Sequence, residues 1–126
     1  MVMPSGEEEC IKDALMRNPT LFRHFRLMEA IQSNYRCRAD PRFLATAIEA
    51  CENQIRMAPQ AAEAFRLEYR GQRLPSHVGY KQLAIIREKE GNLKEALRIC
   101  QQAQGQGWAG DWKKRIASLS KKVEGA

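Results

Sequence analysis

Histidine is scarce in this chain, cysteine is scattered, and no stretch is uniformly apolar. The two histidines, His24 and His77, lie far apart, and neither stands in a metal-binding spacing. The four cysteines (Cys10, Cys37, Cys51 and Cys100) form no C-x-x-C pair and no close pair with histidine, which are the local spacings a zinc site uses. No metal, cofactor or catalytic residue is therefore assigned. A histidine–cysteine nucleophilic pair stays open on sequence, with nothing to select it. No apolar run approaches the roughly 20 residues of a membrane-spanning helix, so a membrane partner is not expected. The opening MVMPSGEEEC lacks the positive and apolar segments of a secretory signal. The expected compartment is the cytoplasm, with reduced thiols. Alternation of apolar and polar residues is missing too, and with it the mark of a half-buried strand.

What is present is helical periodicity over 126 residues, a length that suits one domain (1–126) with a core of its own. Ser5 and Glu8 form a capping box opening a helix with Cys10, Ile11, Ala14 and Leu15 on one side. Asn18-Pro19 ends it, because a residue before proline is pushed out of the helical region. Thr20 is read as the cap of a second helix, with Leu21, Phe22, Phe25, Met28, Ile31 and Tyr35 on its apolar stripe. Asp40-Pro41 is a strong start for a third, carrying Phe43, Leu44, Ala47, Ile48, Cys51 and Ile55. A short helix spans Gln60 to Tyr69, and the loop 71-GQRLP-75 follows. Ser76 caps the next helix, with Tyr80, Leu83, Ala84 and Ile86 inward, and Gly91 suits the left-handed closing position. Its partner carries Leu93, Ala96, Leu97, Cys100 and Ala103 and closes at Gly105. Asp111 caps a last helix (111–123) with Trp112, Ile116, Leu119 and Val123 in line. About six to seven helices with short breaks make an all-α domain of antiparallel neighbours.

The segment 77–110 resembles one tetratricopeptide repeat, a 34-residue helix–turn–helix unit. Tyr80 stands at the first aromatic position, Leu83-Ala84 at the helix contact, Gly91 at the turn, and Ala96 and Ala103 at the small positions of the second helix. Small residues there let the helices approach closely. Arg87, Cys100 and Trp108 depart from the pattern. A degenerate repeat at about 28–59 precedes it, with Ala47, Cys51 and Pro59 at matching positions and 15 residues inserted between the two. The resemblance implies a tetratricopeptide-like array closed by a capping helix. Such domains hold a peptide or helix in the groove lined by the first helix of each repeat. By position that face is Val78, Lys81, Gln82, Ile85, Glu88 and Lys89. In the subclass that grips a terminal carboxylate, Lys81 matches the lysine, but Ile85 replaces the asparagine. With so few repeats the groove is short, and self-association through an exposed repeat face is a further expectation.

Charge adds a second class. Residues 71–126 carry eleven Lys/Arg against five Asp/Glu, so the +6 net charge lies in the C-terminal part. Such an excess favours acidic partners, an acidic peptide or nucleic acid among them. Lys113, Lys114, Arg115, Lys121 and Lys122 on the last helix form the alternative, nucleic-acid face, with Arg36, Arg38 and Arg42 as a second basic group.

The run 105-GQGWAG-110 matches the G-x-G-x-x-G of a dinucleotide loop. That loop follows a strand and opens a helix, whereas a helix precedes this one and Asp111 puts negative charge where a phosphate would sit. The expected role is a joint: glycines for turns, and Trp108 with Trp112 as a wedge between repeat and cap.

Overall fold

Start and stop signals divide the chain much as the sequence suggests. The structure, a computed structural model, describes residues 17–125; the helix read from Ser5 to Leu15 lies outside them. Among the described residues there are six helices and no strand, only an isolated bridge between Ser76 and Ala109. They are α1 (Pro19–Arg36), α2 (Pro41–Arg56), α3 (Ala58–Glu68), α4 (Val78–Lys89), α5 (Leu93–Gln106) and α6 (Trp112–Gly125). The fold is all-α.

Four helix starts (α1, α2, α4 and α5) are set by a side-chain acceptor for otherwise orphaned N–H groups. At α1 the acceptor is Asn18 rather than Thr20. Its Oδ1 takes the N–H groups of Thr20 and Leu21 at 3.1 and 3.3 Å, with Pro19 at the first helical position. Asp40 caps α2 as expected, accepting from Arg42 N at 2.9 Å. At α4 the cap is His77 and not Ser76: imidazole Nδ1 accepts from Tyr80 N at 3.0 Å. Two adjacent residues could serve there, and burial of the ring decides for the second. Gly91 closes α4 at φ 82°, with Asn92 N donating to Arg87 O at 2.8 Å. α5 runs through Gly105 and ends at Gly107, whose φ of 90° places the left-handed turn two residues later than expected.

Helices α1–α2 and α4–α5 are two antiparallel hairpins, and α4 packs on both members of the first. α1 and α4 run the same way. The His24 ring near the start of α1 lies 5.4 Å from His77, the α4 cap, while at the far ends Lys89 Nζ donates to Tyr35 Oη at 3.3 Å. α6 packs on α5 and reaches α4 through the Lys122–Glu88 ion pair at 2.8 Å. The expected small positions Ala96 and Ala103 are fully buried, as are Ala47, Ala58 and Ala61, which brings backbones close where helices cross. Phe22 departs from its stripe and is 53% exposed. It shares a helix face with Arg26 and Glu29, while the buried face runs Leu21, His24, Ile31. Phe43, beside the α1–α2 turn, is 42% exposed.

Candidate functional site

Two places on this scaffold concentrate chemistry: a buried junction between the hairpins, and the outer face on which α4 lies between α1 and α6.

The junction begins with Gln54, a fully buried residue of α2. Its Nε2 donates to His24 O of α1 at 3.0 Å, and its Oε1 accepts from Gly79 N of α4 at 2.7 Å. One amide thus ties three helices. Gly79 is required by proximity, not by its dihedral angles: a Cβ there would lie 2.7 Å from Gln54 Oε1 and 3.2 Å from Cys51 O. Around this clamp the aromatic rings close. His24 stacks parallel to Trp108 at 5.8 Å, and His77 meets Trp108 at 4.7 Å and Tyr80 at 4.6 Å. Phe65 of α3 stands edge-on to both His24 and Trp108, at 5.3 and 6.0 Å.

The histidines are each about 1% exposed. Burial pushes His24 down to about 4. Burial first, and the neighbouring His24 second, push His77 down to about 3. Both rings are neutral at physiological pH. Because His77 Nδ1 accepts from Tyr80 N, its proton sits on Nε2, an atom with no hydrogen-bond partner; His24 Nδ1 likewise has none. Cys51 is fully buried and its thiol is pushed up to about 12, mainly by desolvation. A nucleophilic cysteine needs the opposite shift. Neither His77 nor Cys51 lines any of the clefts described below, and His77 Nδ1 serves as a helix cap. Among the described residues no group of three or more His, Cys, Asp or Glu is placed to hold a metal.

The outer face brings part of the sequence-predicted groove together. Consecutive residues at the end of α4 reach opposite neighbours: Glu88 pairs with Lys122 of α6, and Lys89 bonds Tyr35 of α1. Lys81 is exposed on the same helix, Ile85 and Gln82 are half-buried, and Val78 packs on the core. Gln82 Nε2 is buried without a partner. Arg87, at a position the repeat pattern gives to an aromatic, bridges instead, bonding Glu90 at 2.9 Å and Glu52 of α2 at 3.4 Å. Beside α4 a cleft of about 270 Å³ separates it from α6, with Glu88, Asp111, Lys114 and Arg115 in its wall.

The basic residues of α6 divide in two. Arg115 is held by Asp111 at 2.8 Å and Lys122 by Glu88, whereas Lys113, Lys114 and Lys121 are exposed without an ion pair to a described carboxylate. The Arg115 guanidinium holds the Asp111 carboxyl below its usual value.

The GQGWAG run is a joint, as expected, but its tryptophans do not act as one wedge. Trp112 packs at the α6 start and donates Nε1 to Trp108 O at 2.9 Å. The Trp108 ring instead turns inward, onto the two histidines. The clamp residues Gln54 and His24 escape sequence reasoning, since a single glutamine on a helix carries no pattern. Comparisons with family models, curated proteins and solved structures return no match for this chain. No helix of the described residues is long and apolar enough to cross a membrane.

Proposed function

We propose that this chain is a non-enzymatic, tetratricopeptide-like interaction module of the cytoplasm, holding an acidic peptide or protein segment across the α1–α4–α6 face. The observation that carries the reading is the divergence of Glu88 and Lys89 toward α6 and α1, which makes α4 the floor between two parallel walls. On that floor Lys81 is exposed one turn from half-buried Ile85, a charge beside an apolar contact. Lys81, Lys89 and Lys114 give the face a positive potential that steers and orients an acidic ligand. Burial of both histidines and of Cys51 away from the clefts suits a binding role better than a catalytic one.

Nucleic acid is the weaker alternative. Two of the five α6 cations are already paired with carboxylates, which leaves little of a continuous basic face. Self-association is a second use of an exposed surface, with Phe22, Phe43 and Leu67 the exposed large apolar groups among the described residues.

Calorimetric titration with a short Asp/Glu-rich peptide carrying leucines tests the proposal. Reversing charge with Lys81→Glu and Lys89→Glu should weaken binding about tenfold or more. Unchanged affinity in that double variant, or tighter binding to an unrelated oligonucleotide with a steep salt dependence, overturns it.

A further inference from the structure

A second site emerges where the loop 71–75 meets the loop 107–110, with Ala109 N donating to Pro75 O at 3.1 Å. Two clefts open side by side there and share Gln72, Arg73 and Leu74. The inner one, about 220 Å³, is walled by Phe25, Phe65, Tyr69, Leu74 and Pro75. Phe25 and Phe65 meet edge-to-face at 5.9 Å, and Phe65 lies 6.2 Å from Tyr69. The walls are apolar and the volume suits one phenyl ring or a short alkyl chain; a cavity of about 150 Å³ already admits benzene. The outer cleft, about 480 Å³, has a different lining: Arg66, Arg73 and the main chain of 107–110.

The outer cleft is cationic, with Arg66 and Arg73 in its lining. Arg66 Nη2 donates to Gln106 O at 2.9 Å, which fixes its guanidinium at the cleft edge. Neither Arg66 nor Arg73 forms an ion pair with a carboxylate among the described residues. Gly107 lines this cleft with a φ of 90°, and a Cβ there would lie at contact distance from Arg66 Nη2 (3.4 Å) and Leu74 Cδ1 (3.8 Å). An apolar pocket next to two guanidiniums without carboxylate partners is the arrangement that recognises an amphiphile with an acidic end: apolar burial gives affinity, and a planar fork of donors selects the carboxylate.

We propose that this double cleft binds a carboxylate joined to one apolar group of ring or short-chain size, the apolar group against Phe25, Phe65 and Leu74 and the carboxylate on Arg73 and Arg66. The site is independent of the lysine face, and the two readings fail separately. Heteronuclear NMR titration with 3-phenylpropionate tests it. Saturable shifts should appear at the amides of Gln72, Arg73, Leu74 and Gly107, and Arg73→Gln, an exposed-residue change, should weaken binding about tenfold. The neutral 3-phenylpropionamide should bind about tenfold more weakly than the acid. Leu74→Glu should abolish binding; because Leu74 is buried, Phe25→Ser serves as a second apolar-wall variant, with folding checked by circular dichroism. A tripeptide ending in phenylalanine, with a free or an amidated C-terminus, distinguishes the two sources. If the free-acid peptide binds more tightly than 3-phenylpropionate, the ligand is a chain terminus; if more weakly, a small acid. No saturable shift at these amides, equal affinity for acid and amide, or indifference to Arg73→Gln overturns the proposal.

Discussion

The two seams along α4 are closed by opposite means. On the side facing α1 and α2 the closure is polar and buried: Gln54 bonds two backbones, and two neutral histidines pack against Trp108. On the side facing α6 the attachment is indirect: α6 packs on α5, with Trp112 and Leu119 buried, and reaches α4 through the partly exposed Glu88–Lys122 pair. The difference concerns specificity. Apolar contacts tolerate sliding, and an exposed ion pair is worth at most about 1 kcal/mol. A buried amide with a single geometry does not tolerate sliding, because a shifted helix leaves its donor and acceptor unsatisfied at about 1–3 kcal/mol each. The first seam fixes the register of the two hairpins, and the second attaches the last helix.

Acid is the strongest way to separate the seams. Both histidines have folded-state values below their ordinary 6.5, at about 4 and about 3. The unfolded chain therefore binds protons first as pH falls. Stability should be flat above about pH 7 and decline through the window from 6.5 downward, each ring costing about 1.4 kcal/mol per pH unit until its folded value is reached. Urea unfolding followed by circular dichroism should lose on the order of 3–4 kcal/mol between pH 7 and pH 5. His77→Asn, which retains a capping acceptor, should remove about half of that slope. A profile unchanged by the substitution would sink the assignment.

Gln54→Leu comes next. It keeps an apolar group of similar length but leaves Gly79 N–H without its buried acceptor, at a cost of about 2–3 kcal/mol in the same unfolding assay at pH 7. A cost below about 0.5 kcal/mol would mean that the clamp is incidental. The smallest effect belongs to the outer seam: Lys122→Ala should change stability by about 0.5 kcal/mol or less, and less still in high salt. A loss as large as that of Gln54→Leu would erase the distinction between the seams.

How much of this was legible in the sequence follows the same division. Features governed by neighbours in sequence could be read: the Asp40-Pro41 start, the Gly91 turn, the alanines of α5, and the line of Trp112, Ile116 and Leu119. The helix that precedes the glycine-rich run could be read in the same way. Features decided by distant contacts could not be read. Gln54 looks like any polar helix residue until Gly79, 25 positions away, is brought against it. The choice of His77 over Ser76 as cap, and the inward turn of Trp108, depend on that same junction. The α4 face was half-legible: the resemblance to a tetratricopeptide repeat pointed to Lys81, Ile85, Glu88 and Lys89, but only the fold shows Glu88 turned toward α6 and Lys89 toward α1. The pair of clefts around Arg73 had no signal at all, since its walls come from α1, α3 and two loops.

The stacking of His24 on Trp108 has a practical consequence. The Trp108 indole is buried with its ring nearly parallel to the neutral His24, at 5°, so opening this junction moves the indole into water and should shift its emission to the red. The molecule thus carries an optical probe at its hairpin junction. Trp112, the other tryptophan, has no such neighbour among the described ring contacts and supplies a steady background. A single emission spectrum followed against pH or denaturant should therefore report the opening of one seam while the other remains closed.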